Sequence, residues 1–220
     1  MPINREIARL TELIEKDQSV ANLYAERALC YRMQERYVLS ERDLNQAIER
    51  DLNNPVYYMD RGFSRHMHGD HDGAIADLTC AMALAGERSD LATRALRLRI
   101  NAKEGNGQPE EAMQDINLLV EWVPDDLQVR LMRGSRLINR HKLDDAWCDI
   151  QYALEIDAHD LSARVLHARY LLKQQHYAQA EEILCGVLRE HHDNEDFVDL
   201  NRPYWAEARR RQGKDLIPDW

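Results

Sequence analysis

Apolar residues recur three and four positions apart along most of the chain, in short stretches that are separated by polar or glycine-containing segments. Leu44, Ala47 and Ile48 show this spacing, which places one apolar stripe on a helix. Short segments such as Gly69-Asp70 and Arg140-His141 carry residues that are typical of turns. The pattern therefore predicts an all-α protein in which amphipathic helices follow one another in pairs.

The pattern also repeats. Steps of 34, 38, 34 and 34 residues separate equivalent positions. Because such a period is the signature of stacked structural repeats, the chain is expected to be a solenoid. The four extra residues of the long step are expected in the turn-forming segment 86–90. The clearest columns are Asp43, Asp77, Asp115 and Asp149, and Ser40, Ala74, Ala112, Ala146 and Ala180.

A period of 34 residues with small and aromatic residues at these offsets resembles the tetratricopeptide repeat family. The first repeat matches at Tyr24, Ala28, Tyr31, Ser40, Leu44 and Ala47, and the second at Tyr58, Gly62, Ala74, Leu78 and Ala81. Arg65 replaces the second aromatic residue of the motif. The resemblance implies a right-handed superhelical solenoid of about five helix-turn-helix repeats with capping helices at both ends.

One continuous domain is expected. Residues 1–20 are predicted to form an N-terminal capping helix, and residues 195–220 a C-terminal capping helix and tail, with the last helix starting after Pro203. Between them lie five repeats, over residues 21–194. Their approximate boundaries are 21–54, 55–88, 93–126, 127–160 and 161–194.

The resemblance implies that the first helix of each pair lines a concave groove. Many residues at these positions are apolar, and an exposed apolar patch usually marks an interaction site. The alternative is that tight curvature buries them between neighbouring helices. The predicted groove residues are Leu29, Met33, Met59, Phe63, Met67, Arg94, Arg97, Leu131, Met132, Ile138, Leu166 and Arg169.

The groove is predicted to bind a peptide or helix of a partner protein, as a scaffold or adaptor. Replacing Met59 and Leu131 with Asp is expected to abolish partner capture without unfolding the protein. Some members of the family hold the C-terminal carboxylate of a chaperone, but Ala25 and Leu29 occupy two of the required positions and cannot do so. Two alternatives remain, a secretion-type chaperone that holds an exported client and a self-associating structural protein. The protein could also form a homodimer.

Composition and charge narrow the function further. The formal net charge of the 220 residues is −10, which argues against a nucleic-acid partner. No apolar run reaches the roughly 20 residues needed to cross a bilayer, and the first residues lack a secretory signal, so a cytoplasmic protein without a membrane partner is expected. Cys30, Cys80, Cys148 and Cys185 are predicted to be small, buried, reduced side chains.

The sequence predicts neither an enzyme nor a bound cofactor or metal, because it lacks phosphate-binding, zinc-protease and nucleophile motifs. The best metal candidate is formed by His66, His68 and His71 with Asp70 and Asp72. His66 and His68 are two positions apart and point to different sides of a helix. These residues are therefore interpreted as solvated turn residues.

Overall fold

The computed structural model describes residues 2–216. Within this range the chain forms twelve α-helices and no strand, which confirms the predicted all-α fold. The helices are α1 (Pro2–Lys16), α2 (Ala21–Met33), α3 (Tyr37–Arg50), α4 (Pro55–Met67), α5 (His71–Ala85), α6 (Asp90–Gly105), α7 (Pro109–Trp122), α8 (Leu127–Asn139), α9 (Leu143–Ile156), α10 (Leu161–Lys173), α11 (Tyr177–Glu190) and α12 (Glu195–Arg211).

The helices from α2 to α11 form five hairpins, and each hairpin turns in the same way. A three-residue segment joins the two helices. The N–H of its third residue donates to a carbonyl in the last turn of the first helix, as Arg36 N does to Tyr31 O at 2.9 Å. The middle residue has a left-handed backbone, which glycine adopts without strain. These middle residues are Glu35, Gly69, Gly107, His141 and Gln175.

The extra residues of the 38-residue step lie in helices rather than in the predicted loop. Segment 86–89 between α5 and α6 has four residues, as segment 51–54 between α3 and α4 does. Helix α5 has 15 residues against 14 in α3, and α6 has 16 against 13 in α4. The early start of α6 is stabilised by Ser89, whose side chain accepts a hydrogen bond from Ala92 N.

The last helix starts eight residues before Pro203, so the prediction that it follows this proline was wrong. Asn194 caps it by accepting a hydrogen bond from Phe197 N at 3.1 Å. Pro203 removes one backbone hydrogen bond from the helix interior. The helix persists because it buries Val198 and Trp205 against α11 and its neighbours. Burial of these two apolar side chains stabilises the helix by more than Pro203 disfavours it, and the prediction had considered only the proline.

The end of α12 resembles the end of the first helix of every repeat. Gly213 has a left-handed backbone, and Lys214 N donates to Arg209 O at 3.0 Å. The same bond occurs at Arg36, and its acceptor Tyr31 lies in α2, the first helix of repeat one. Helix α12 is therefore built like the first helix of a sixth repeat. Residues 217–220 of the predicted tail lie outside the described range.

The chain divides into two compact units, with the boundary between Trp122 and Val123. The N-terminal unit contains a core cluster in which Met59, Leu78 and Ala95 pack together. In this unit a Cβ added to Gly62 would lie 2.8 Å from Leu78 Cγ, so the close crossing of α4 and α5 requires a residue without a side chain here. The C-terminal unit has a core cluster around Trp205. The prediction of a single continuous domain stays a prediction.

Four repeats share a buried ion pair between their two helices. In each, arginine Nε and Nη2 donate to the two carboxylate oxygens of an aspartate 16 residues later, at 2.6–2.9 Å. Hydrogen bonding to the aspartate raises the pKa of Arg27 and of Arg133, so both guanidinium groups are charged. We call these pairs the Arg–Asp ladder. They are Arg27–Asp43, Arg61–Asp77, Arg99–Asp115 and Arg133–Asp149.

The ladder also joins each repeat of the N-terminal unit to the helix before it. Arg27 Nη1 donates to Thr11 of α1 at 3.1 Å, and Arg61 Nη1 donates to Asn45 of α3 at 2.8 Å. Helix α1 therefore takes the place of the second helix of a preceding repeat, as its predicted role as a cap requires. In the fifth repeat the ladder stops, because His167 and Ile183 occupy the equivalent positions.

The cysteines differ from the prediction. Cys80 and Cys148 are exposed, and Cys30 and Cys185 are only partly buried. The prediction rested on the general tendency of free cysteine to be buried, but in α5 the buried positions next to Cys80 are taken by Leu78 and Ala81. Among the described residues, no helix is long and apolar enough to span a membrane.

Candidate binding surfaces

The N-terminal unit carries an exposed apolar face on its first helices. Leu29 and Met33 lie one turn apart on α2, and Phe63 and Met67 occupy the equivalent positions on α4. Leu29, Met33 and Met67 are 45–63% exposed, while Phe63 is partly buried. We call this face, together with the cavity described next, the N-terminal surface.

A cavity of about 400 Å³ opens beside this face. Its apolar part consists of Met59, Phe63 and Leu98, and Met59 is only 3% exposed. Arg32 Nη1 donates to Asp60 Oδ1 at 2.6 Å, and its guanidinium carbon lies 5.1 Å from the centre of the Phe63 ring. The full lining is Arg32, Met59, Asp60, Phe63, Arg94, Arg97 and Leu98.

The charge of this cavity differs in sign from that of the whole chain. Three arginines and one aspartate line the cavity, although the chain has a formal net charge of −10. Asp60 is engaged by Arg32, whereas Arg94 is exposed on α6. Charged side chains beside apolar walls act through a lower dielectric than bulk water, so their attraction for an anion is strengthened. The cavity can therefore bind an apolar group that has a negative charge next to it.

The C-terminal unit carries a second apolar face, formed by α8, α10 and α12. Leu200 of α12 is 71% exposed and stands beside a cavity of about 350 Å³. Arg169 lies at its edge, where Nη1 donates to Ser135 Oγ at 3.1 Å and the guanidinium carbon lies 5.1 Å from the centre of the Tyr204 ring. We call this face the C-terminal surface. Its cavity is lined by Leu131, Ser135, Leu161, Ser162, Val165, Leu166, Arg169, Phe197, Leu200 and Asn201.

The predicted groove residues fall into three groups in the structure. Four are buried, namely Met59, Leu131, Ile138 and Leu166, as the alternative of burial between helices expected. Four are partly buried, namely Phe63, Arg97, Met132 and Arg169. Four are exposed, namely Leu29, Met33, Met67 and Arg94. The N-terminal cavity brings together Met59, Phe63, Arg94 and Arg97, and the C-terminal cavity Leu131, Leu166 and Arg169.

Sequence reasoning missed the contribution of α12. Phe197 and Leu200 line the C-terminal cavity, and Tyr204 lines a smaller one of about 120 Å³ that also contains Ile138. Helix α12 was predicted to start after Pro203, which left the first two of these residues in a loop. The sequence did hold a signal, because Asn194 followed by Glu195 and Asp196 is typical of a helix start.

The predicted metal candidate is dispersed. His66 Nδ1 and His71 Nδ1 are 3.1 Å apart, but His68 Nε2 pairs with Glu41 Oε2 at 2.9 Å. Asp70 accepts a hydrogen bond from Gly73 N and caps α5. Over residues 2–216, no three His, Cys, Asp or Glu side chains come together as a metal site would require.

Two histidines make the stability of the chain dependent on pH. Burial lowers the pKa of His66, with a further contribution from nearby His71, and burial lowers the pKa of His167, which packs 5.2 Å from the Trp147 ring. In the unfolded chain both histidines bind a proton near the ordinary pKa of about 6.5. Between the folded and unfolded pKa values the unfolded state holds more protons. The free energy of unfolding therefore falls as the pH is lowered through this window.

We expect thermal unfolding to show this dependence. Between about pH 7.5 and about pH 5.5 the melting temperature of the parent protein should decrease more than that of a variant with His66→Gln and His167→Gln. Circular dichroism at matched ionic strength measures both. Equal decreases in the two proteins would assign the effect to other groups.

Solved structures show the same fold. The chain is similar to a tetratricopeptide repeat protein from Parabacteroides merdae, with 22% identity and a TM-score of 0.77 over 90% of this chain and 75% of that one. It is also similar to YrrB, described as a TPR protein with an unusual peptide-binding site, with 18% identity and a TM-score of 0.65 over 84% of this chain and 93% of YrrB.

A third structure, pilF of Pseudomonas aeruginosa, has 13% identity and a TM-score of 0.71 over 90% of this chain and 89% of its own. No protein-family model and no curated protein sequence matches the chain. At these identities the similarity concerns the fold. The helix order, the repeated turns and these structural neighbours agree, and in fold the protein is a tetratricopeptide-type helical repeat protein.

Proposed function

We propose that this protein is an interaction module that binds a peptide or helical segment of a partner protein through its N-terminal surface. The observation that carries the proposal is the exposure of Leu29, Met33 and Met67 at equivalent positions of two neighbouring repeats. Exposed apolar side chains that form a contiguous patch usually mark an interaction site. Methionine adapts its shape to different apolar partners, which suits such a surface.

The dimensions of the site agree with a peptide rather than a flat protein face. A cavity of about 400 Å³ next to the exposed methionines can receive one anchoring side chain of a bound peptide. The exposed apolar face then contacts the peptide residues on either side of that anchor. The C-terminal surface, with Leu200 exposed, offers a second place of the same kind within its own unit. The peptide-binding site of the structural neighbour YrrB supports a peptide ligand.

Binding is favoured over catalysis by the state of the buried carboxylates. Asp43, Asp77, Asp115 and Asp149 are each held by two hydrogen bonds from an arginine, which suits a structural role. A general acid or base instead needs access to a substrate proton. The ladder therefore stabilises the repeats, and the exposed side chains are left for recognition.

We expect Leu29→Asp, Met33→Asp and Met67→Asp together to abolish partner capture. Each change places a charge where the proposed complex buries an apolar side chain, and the loss of each contact lowers affinity by about tenfold or more. The intact protein and the variant are immobilised at equal density, lysate of the native cell is passed over both, and the retained proteins are quantified by mass spectrometry.

The matched control carries Val38→Asp, Leu52→Asp and Ile156→Asp, three apolar residues that are 56–63% exposed and line none of the cavities described above. Equal far-ultraviolet circular dichroism of all three proteins establishes that they are folded. Proteins retained by the parent and the control, but lost by the surface variant, support the proposal. Identical retention by all three would show that the N-terminal surface is not where partners bind.

A further inference from the structure

We infer that the N-terminal cavity selects acidic peptides, in which a large apolar side chain has an Asp or Glu residue beside it. This inference rests on the proposed function, because it specifies the partner of the same surface. Its basis is the charge of the lining. Three of the seven lining residues are arginines on α2 and α6, in a chain whose composition is strongly acidic.

The apolar part of the cavity sets where the anchoring side chain lies. Phe63 packs against the Arg32 guanidinium, whose carbon lies 5.1 Å from its ring centre, and against Tyr37 in an edge-to-face arrangement with 6.3 Å between ring centres. Met59 and Leu98 complete the apolar lining. An aromatic or large aliphatic side chain that enters here covers Phe63, and its backbone stays at the mouth of the cavity.

The arginines set what must lie beside that side chain. Arg32 is already paired with Asp60 at 2.6 Å, so its charge is largely compensated within the protein. Arg94 lines the cavity and is exposed on α6. Its guanidinium group presents planar donors that match a carboxylate. A peptide carboxylate next to the anchor thus meets a positive edge of the cavity.

The position of Arg94 in the repeat strengthens this assignment. The equivalent residue of the preceding first helix is Val56, and that of α12 is Leu200, which is exposed on the C-terminal surface. In α2, α8 and α10 the same place is polar but uncharged, with Asn22, Gln128 and Ser162. Among these six helices the place is cationic in α6, which puts the charge of Arg94 at the N-terminal cavity.

The test uses the full chain and a library of short peptides with a central Phe, Trp or Leu and random neighbours. The N-termini are acetylated and the C-termini amidated, so only side chains supply carboxylates. Retained peptides are sequenced by mass spectrometry. We expect enrichment of Asp and Glu next to the central residue. For a selected peptide, replacing that Asp or Glu with its amide should weaken binding by at least about tenfold.

Two charge-reversal variants locate the preference. Arg94→Glu should lose the acidic peptides and enrich Lys and Arg instead. Arg210→Glu changes the net charge equally at an exposed position of α12, and it should select the same acidic peptides as the parent. Higher salt should weaken binding to the parent, because the contacts are partly open to solvent.

The outcomes separate the inference from the function on which it rests. Peptides that are retained by the parent, lost by the Leu29, Met33 and Met67 variant, and free of acidic enrichment would overturn the inference and leave peptide binding in place. A second library of the same peptides with free C-termini that is retained when the amidated library is not would also overturn it, in favour of an end-carboxylate site. No retention above the surface variant would overturn both.

Discussion

Replacing Asp77 with alanine is expected to lower the free energy of unfolding by about 3–5 kcal/mol, the usual effect of breaking a buried ion pair from one side. Asp77 is buried and accepts hydrogen bonds from Arg61 Nε and Nη2 at 2.8 and 2.6 Å, and a third from Arg65 Nη1 at 3.0 Å. Without the carboxylate, the Arg61 guanidinium stays largely out of water, beside the Tyr58 ring and the uncharged Asn45 amide. Urea unfolding followed by circular dichroism measures the loss.

The double variant Arg61→Met with Asp77→Leu distinguishes the ion pair from its packing. It removes both charges and fills the space with apolar atoms, so its loss should be well below that of Asp77→Ala. Arg65 keeps its hydrogen bond to Glu41 at 2.8 Å in either variant. If Asp77→Ala costs less than about 1 kcal/mol, the ladder is a surface feature rather than a buried one.

The ladder shows which part of the fold the sequence could predict. The aspartate column and the matching arginines at positions 27, 61 and 133 repeat with the helices, and their period alone predicts paired helices in register. The bond itself was not predicted. Sixteen residues of separation bring two side chains together only once the turn length is known. In two of the four turns that carry the ladder the left-handed residue is Glu35 or His141, where no glycine indicates the turn.

The C-terminal surface shows what propensity leaves out. Pro203 disfavours a helix locally, and reasoning from this residue placed Phe197 and Leu200 outside any groove. Burial of Trp205 and Val198 keeps this segment helical in the folded chain. The extent of that burial can be known only once the position of α11 is known. Tertiary packing, rather than local sequence, therefore places Phe197 and Leu200 on the C-terminal surface.

The two methionines of α4 illustrate the same limit in one helix. Both carry the spacing of a first-helix groove residue, and the sequence predicts them as equivalent members of one surface. In the structure Met59 is 3% exposed and packs with Ala74, Leu78 and Ala95, whereas Met67 is 45% exposed. Periodicity identifies the side of a helix, but the depth of each residue depends on which neighbouring helix covers it.

Met59→Asp should therefore unfold the N-terminal unit, while Met67→Asp leaves it folded. The first change removes a buried side chain, which alone is worth about 2–5 kcal/mol, and places a carboxyl group in the cluster formed with Ala74, Leu78 and Ala95. The second places a carboxylate in water and should change stability by less than about 0.5 kcal/mol. Chemical denaturation of each single variant measures both. Equal stabilities of the two variants would show that Met59 is accessible. In that case Met59→Asp could test binding without unfolding, as the sequence suggested.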